Sequence, residues 1–270
     1  MQNRCIPRFF NTIEHTIKET VIKTGDIEGE RFWYKHIPEE VSDMFPILVS
    51  DTSDYIELEE INGIPLSYLY TGETFNETNL QQVFNYLRRI HKCNTKSSIT
   101  YNIYANYETK LIKRFNNYPY SYKDKDVIFN LLYKRLCEYS KKDRGVLSVI
   151  HGDPVFTNII CDMTNSYKFI DMRGKLGEDL TIYGDKFYDY AKVYQSLVGY
   201  DYILHDIEFN YSYMNTLKEY FKEYISSRYG LNRFYEIQLI TASLLFTLIP
   251  LHNVQDQCDK YYDLARGLLI

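Results

Sequence analysis

Apolar positions along this chain fall into two textures. Near the start they form short β-like runs around one helix. Thr20-Val21-Ile22-Lys23 is β-branched and is stopped by Thr24-Gly25-Asp26, which predicts a strand. From Ile27 to Ile37, Ile27, Phe32, Trp33, Tyr34 and Ile37 suit an amphipathic helix that ends near Pro38. Phe45 to Val49 and Tyr55 to Glu59 read as two further strands, the second followed by a turn at Asn62-Gly63. Beyond Gly63 the period becomes helical. Leu80, Val83, Phe84, Leu87 and Ile90 line one face of a helix over 79–91, and similar patterns recur over 107–115, 126–139, 188–197, 211–224 and 233–249. Between them Val146 to Ile150, Ile159 to Cys161 and Tyr167 to Ile170 predict short strands with polar loops. The expected architecture is α+β and two-lobed. A small strand-rich lobe over residues 1–60 precedes a large helical lobe over 61–270, with a hinge near 57–63.

Composition narrows the class only mildly. With 270 residues the chain can bury a sizeable core, and 45% hydrophobic with 25% charged residues is ordinary for a soluble globular protein. A net charge of −5 gives no reason to expect a nucleic-acid partner. The cysteines (Cys5, Cys93, Cys137, Cys161 and Cys258) are scattered, odd in number and form no C-x-x-C pair, so reduced thiols are expected. The start lacks an apolar run of signal-peptide length. Leu239 to Leu251, the most apolar stretch, is interrupted by Thr241, Ser243, Thr247 and Pro250 and reads as a buried helix, not a membrane span. A cytoplasmic protein without a membrane partner is expected. The 28 tyrosines are assigned no collective function.

Candidate chemistry is concentrated in one segment. His151-Gly152-Asp153 is followed five residues after its aspartate by Asn158, and Asp171 comes behind the apolar Lys168-Phe169-Ile170. Phosphoryl transfer needs a carboxylate to orient and deprotonate the acceptor hydroxyl, and oxygen ligands to hold magnesium against the nucleotide phosphates. The Asp-to-Asn offset equals that of the protein-kinase loop H-R-D-L-x-x-x-N, and Asp171 stands where the D-F-G aspartate would. A turn rich in Gly, Asp, Pro and Asn is also an ordinary structural element between strands. His151 and Asp153 could be paired metal ligands, but no His or Cys nearby in sequence completes a transition-metal set.

The segment VIHGDPVFTNII resembles the catalytic loop of aminoglycoside phosphotransferases, choline kinases and related small-molecule kinases. The resemblance implies a two-lobed protein-kinase-like fold, with Asp153 as catalytic base, Asn158 and Asp171 as magnesium ligands and His151 as a structural member of the loop. Ile56 to Glu59 through Gly63-Ile64-Pro65-Leu66 is similar to the hinge under the adenine, which implies nucleotide contacts at Glu59 and Ile61. Leu87-Arg88-Arg89-Ile90-His91 is similar to the helix that follows. Gly184-Asp185 to Tyr188-Asp189-Tyr190-Ala191 is similar to the stretch whose later aspartate, here Asp189, braces the catalytic loop. In the small lobe Lys23 is the implied phosphate lysine and Glu30 its ion-pair partner, with Lys18 and Glu28 as substitutes. The lobe departs from the kinase pattern in lacking Gly-x-Gly-x-x-Gly, and Asn11 to His15 is the candidate phosphate-covering loop. Ile170-Asp171-Met172-Arg173-Gly174, Ile182 to Asp185 and Leu248 to Asn253 resemble kinase-like domains of bacterial surface-polysaccharide gene clusters.

Arg173 either clamps a phosphate or anionic acceptor, as a bidentate guanidinium can, or pairs with a structural carboxylate. The expected function is ATP- and magnesium-dependent transfer of a γ-phosphoryl group to a hydroxyl of a small metabolite, with a sugar of polysaccharide biosynthesis as the candidate acceptor. A non-catalytic nucleotide-binding scaffold is one alternative. An aminoglycoside- or choline-type kinase is another, and Asp256, Asp259 and Asp263 could give it an acidic acceptor cleft unless they form a solvated helix face. Oligomeric state is not legible.

Overall fold

The computed structural model describes residues 11–94 and 101–269; Cys5 lies outside them. Strands β1 (Asn11–His15) and β2 (Thr20–Gly25) form a hairpin, followed by helix α1 (Glu28–Lys35), β3 (Leu48–Asp51) and β4 (Tyr55–Glu59). These four strands make one antiparallel sheet in the order β1-β2-β4-β3. Helix α1 starts with Glu28 and Glu30 at its positive end and stops before Pro38. The strand expected at 45–49 begins later, at Leu48. Pro46 has no N–H to give to a ladder, and the segment before it is a 3-10 helix over Glu39–Met44.

Strand β5 (Gly63–Pro65), helix α2 (Leu66–Thr71), α3 (Glu77–Lys92), α4 (Glu108–Asn117) and α5 (Lys125–Lys141) follow. Gly63 is not a turn residue. It opens β5, and a Cβ there would lie 2.3 Å from the Cys161 carbonyl oxygen, so glycine serves close backbone approach. Helix α3 begins earlier than its apolar stripe because Asn76 and Asn79 form a reciprocal capping box. Its predicted stripe is fully buried.

Then come β6 (Leu147–Val149), β7 (Ile159–Asp162), β8 (Tyr167–Phe169), β9 (Lys175–Leu176), β10 (Asp179–Leu180) and β11 (Tyr183–Asp185). Strands β5-β7-β8 make one small sheet, β6 pairs with β11, and β9 pairs with β10. Helices α6 (Lys186–Leu197), α7 (Tyr200–Leu204), α8 (Tyr211–Tyr229), α9 (Leu231–Leu248) and α10 (Gln255–Gly267) complete the chain. The stretch Leu231–Leu251 is long and apolar enough to cross a membrane, yet 72% of its apolar window is buried inside the fold.

Several of the tyrosines hold this helical part together. Tyr107 and Tyr139 both donate to the buried Asp185 carboxylate, at 2.8 and 2.6 Å, while Asp185 also caps α6 through the Phe187 N–H. Tyr70 and Tyr120 donate to the backbone carbonyls of Leu197 and Phe246. Each such bond lets a large, mostly apolar ring enter the core without stranding its hydroxyl.

Candidate active site

The candidate residues gather where the two lobes meet. Residues 150–158 form a loop between β6 and β7, closed by main-chain bonds from Ile170 N–H to Asn158 and from Arg173 N–H to His151. Asp189, on the first turn of α6 and fully buried, accepts from the backbone N–H groups of His151 (3.0 Å) and Gly152 (2.8 Å). His91 at the end of α3 approaches the same carboxylate, Nε2 to Oδ2 at 2.9 Å. His151 is buried and its Nδ1 accepts from the Asp153 N–H at 3.1 Å, which assigns the ring proton to Nε2. Burial holds its pKa below the usual value against the pull of the Asp189, Asp153 and Asp171 charges.

Asp153 and Asn158 are joined within the loop: the Asn158 amide donates to the Asp153 carbonyl at 2.9 Å. That bond uses Nδ2, while Oδ1 accepts from the Thr157 hydroxyl at 3.3 Å and keeps a second lone pair for a cation. Asp171 is half-exposed, with a positive φ of 61°, and its side chain meets Lys23. Lys23, buried on strand β2, also pairs with Glu30 of α1 at 2.5 Å. Burial alone would lower the Lys23 pKa, but the charges of Asp171 and Glu30 outweigh it and hold the ammonium protonated. Burial pushes Glu30 up to about 7 despite Lys23, with the Asp171 charge adding to the rise. Of the substitutes, Lys18 lies on the exposed β1–β2 turn and Glu28 pairs with Lys175 at 2.7 Å.

Two glycines allow α1 to reach the Asp171 segment. A Cβ on Gly29 would stand 2.2 Å from the Arg173 carbonyl oxygen, and one on Gly174 would stand 1.7 Å from that of Gly29. Gly174 also has φ 59°. The Trp33 indole N–H adds a 2.8 Å bond to the Ile150 carbonyl. Backbone contact therefore sets the position of Glu30, and hence of Lys23, against the 150–158 loop.

Asn11 to His15, expected as the loop over the phosphates, is strand β1. The turn itself is Thr16–Glu19, built by the Thr16 and Thr20 hydroxyls, with Ile17 fully exposed at its tip. Glu59 ends β4, and its carboxylate accepts from the Ile47 N–H at 3.1 Å. Ile61 lies on the link between β4 and β5.

One residue escaped the sequence reading. Lys192, buried on α6, places its ammonium 2.9 Å from an Asp153 carboxylate oxygen. A signal was present: it follows Asp189 by three positions, on the same face of a helix that is buried from Phe187 to Leu197. Arg173 lays its guanidinium 4.7 Å from the Tyr188 ring centre, and both Arg173 and Lys192 line a cleft of about 360 Å³ with Asp153. A larger cleft, about 620 Å³, is lined by Arg88, Lys186 and Tyr229 and contains neither Asp153 nor Asp171. Asp256, Asp259 and Asp263 line neither. Asp256 pairs with Lys260, Asp263 with Arg266, and Asp259 accepts from Tyr122, so they form a solvated face.

The donor set suits magnesium. Asp171 and Asn158 present a carboxylate and an amide oxygen, the hard ligands that ion takes alongside phosphate and water. Among the described residues no cluster of three His, Cys, Asp or Glu offers a self-sufficient metal site.

No protein-family model and no curated protein sequence matches the chain. Solved structures do. A choline/ethanolamine kinase family protein from Mesorhizobium loti aligns over 98% of this chain and 87% of its own, with a TM-score of 0.64 and 8% identity. Choline kinase LicA from Streptococcus pneumoniae aligns over 96% and 89%, with a TM-score of 0.59 and 13% identity. A thermostable mutant of aminoglycoside phosphotransferase APH(4)-Ia aligns over 96% and 93%, with a TM-score of 0.64 and 12% identity. At such identities the likeness is one of architecture, and the chain has the two-lobed kinase-like fold of the choline/ethanolamine kinases and aminoglycoside phosphotransferases.

Proposed function

We propose that the protein transfers the γ-phosphoryl group of ATP to a hydroxyl of a small metabolite. The observation that carries this reading is the convergence, at the meeting of the lobes, of the Lys23–Glu30–Asp171 group with Asp153 in its cleft. In this reading residues 1–60 are the nucleotide-binding lobe, with Glu59 and Ile61 beside the base, and residues 61–270 carry the catalytic loop and acceptor site. Lys23 steadies the phosphates, and Glu30 holds Lys23 in place. Asp153 orients the acceptor hydroxyl and takes its proton as the new O–P bond forms and the β–γ bridge breaks, releasing ADP. Lys192 positions the Asp153 carboxylate, and Asp189 with His151 keeps the loop in shape. Asn158 Oδ1 and Asp171 would hold magnesium, which when bound neutralises phosphate charge. The resemblance to polysaccharide-cluster kinases supports a sugar or sugar-like acceptor and a cytoplasmic location.

The test is magnesium-dependent ADP release by the purified protein across a panel of sugars, amino alcohols and aminoglycosides. Acceptor-stimulated release that disappears with EDTA is the expected result. The glycine-free turn at Thr16–Glu19 favours a second reading, a nucleotide-binding scaffold without catalysis. Tight ATP binding with no ADP release on any acceptor would select it.

A further inference from the structure

We propose that a second cleft, between the end of α3, strand β6 and the start of α6, binds a phosphorylated small metabolite as an effector. It is the larger cleft, about 620 Å³, and it shares no lining residue with the cleft that holds Asp153. That volume suits a small molecule and exceeds what a lone phosphate fills. Three cations line it, Arg88 and Lys92 of α3 and Lys186 of α6, and no described carboxylate does. Arg88 and Lys92 are four positions apart on one helix, a spacing at which like charges oppose each other. Lys186 rests over the rings of Phe187 and Tyr229, at 5.0 and 4.9 Å, with no acid holding it. The neighbouring Arg89 shows the contrast, because the Asp43 carboxylate accepts from it at 2.7 and 3.1 Å.

The three charges stay unanswered over the rest of the molecule. Among the described residues no carboxylate lies within ion-pair distance of Arg88, Lys92 or Lys186, and residues 1–10, 95–100 and 270 contain no Asp or Glu. The two carboxylates at the start of α6 are buried and committed elsewhere: Asp185 to Tyr107 and Tyr139, Asp189 to the N–H groups of His151 and Gly152. One arginine and two lysines are balanced better by the dianion of a phosphate ester than by a single carboxylate. Val146, Leu147 and Tyr229 give the cleft an apolar side for the rest of the metabolite. The effector role follows from what the cleft touches. His91 lines it, and the His91 Nε2 lies 2.9 Å from Asp189, the carboxylate that holds the 150–158 loop. Leu147 and Ser148 line it from β6, the strand that leads into that loop. None of Lys23, Asp153 or Asp171 lines it, so a molecule bound there is out of reach of the proposed chemistry.

The experiment titrates the whole chain by calorimetry with glucose 6-phosphate, glucuronate and glucose at fixed ionic strength. Glucose 6-phosphate should bind about tenfold or more tightly than glucose, with glucuronate between them. Lys92 is exposed and Arg88 half-buried, and neither has an ion pair to lose, so Lys92→Ala and Arg88→Ala should fold. Each should weaken glucose 6-phosphate about tenfold. Lys113→Ala in the Asp153 cleft and Lys23→Ala in the nucleotide group should leave that affinity within about twofold, since neither lines the second cleft. Hydrogen exchange over residues 147–155, followed by mass spectrometry, should slow about threefold or more when glucose 6-phosphate binds, and stay unchanged in the Arg88→Ala/Lys92→Ala double variant. The proposal is overturned if glucose 6-phosphate binds no better than glucose. It is equally overturned if Lys113→Ala or Lys23→Ala costs as much affinity as Arg88→Ala and Lys92→Ala, because the phosphate would then sit in the reaction site. Binding through Arg88 and Lys92 with no change in exchange over 147–155 overturns the effector role. None of these measurements uses phosphotransfer, so the second cleft stands or falls apart from that reading.

Discussion

Replacing Asp153 by asparagine tests the site at a buried ion pair. Asp153 and Lys192 have side chains only 12% and 7% exposed and lie 2.9 Å apart. The substitution keeps shape and one acceptor oxygen but leaves the Lys192 ammonium, inside a helix buried all round, without its carboxylate. Removing one member of a buried pair typically costs about 3–5 kcal/mol. The retained amide oxygen recovers roughly 1 kcal/mol of that. Asp153→Asn should therefore destabilise by about 2–4 kcal/mol, Lys192→Met by a similar amount, and the double variant by clearly less than the sum, with a coupling of about 1–3 kcal/mol. Equilibrium urea unfolding can be followed by fluorescence of the single tryptophan, Trp33, which is fully buried against the Ile150 carbonyl. Acceptor-dependent turnover should fall by roughly two to four orders of magnitude in every variant lacking Asp153, since stability regained in the double variant does not restore the base. Additivity of the single costs within about 0.5 kcal/mol would show that the two charges do not depend on each other. Retained turnover in a folded Asp153→Asn protein would move the base elsewhere.

Lys23→Ala should weaken Mg-ATP binding or lower turnover by roughly 10–100-fold, the range expected for a charged hydrogen-bonding group, while Lys18→Ala on the exposed turn stays within twofold; the reverse order, by calorimetry and ADP release, would refute the assignment. Gly29→Ala ought to stabilise an isolated helix by about 1 kcal/mol, but its Cβ would sit 2.2 Å from the Arg173 carbonyl. A net loss of about 1–3 kcal/mol with reduced turnover is expected, and a gain in melting temperature would show that the lobes do not touch there. Asp201, fully buried, is pushed up to about 7 by burial, with the Ser196 hydroxyl pulling the other way. The folded state then holds a proton that the unfolded chain loses near pH 4, so this group's contribution to stability falls as pH rises from about 4 to 7 and stays low above it. Asp201→Asn should gain stability over wild type between pH 5 and pH 8, by at most about 4 kcal/mol, and a pH-independent difference in melting temperature would contradict the assignment.

Local sequence and long-range packing contributed differently to what could be read. The apolar stripes of α3 and α9 and the run from His151 to Asn158 are visible in sequence because periodicity and motif spacing are local properties. Errors arose where a residue's role depends on a distant partner. Gly63 reads as a turn until the Cys161 carbonyl lies against it, and Asn11 to His15 reads as a loop until β2 pairs alongside. Strand β3 starts late because Pro46 cannot donate to a ladder, a local rule that an apolar run conceals.

Lys192 and the α4 cations show the same limit acting on charge. Taken alone, Lys110, Lys113 and Arg114 are an ordinary polar helix face, and a charged helix face is usually solvated. Only the docking of α4 beside α6 and the Asp171 segment turns them toward one cleft, where they add to Arg173 and Lys192. The chain's net charge of −5 conceals this, because an average over 270 residues says nothing about which side chains share a few hundred cubic ångströms.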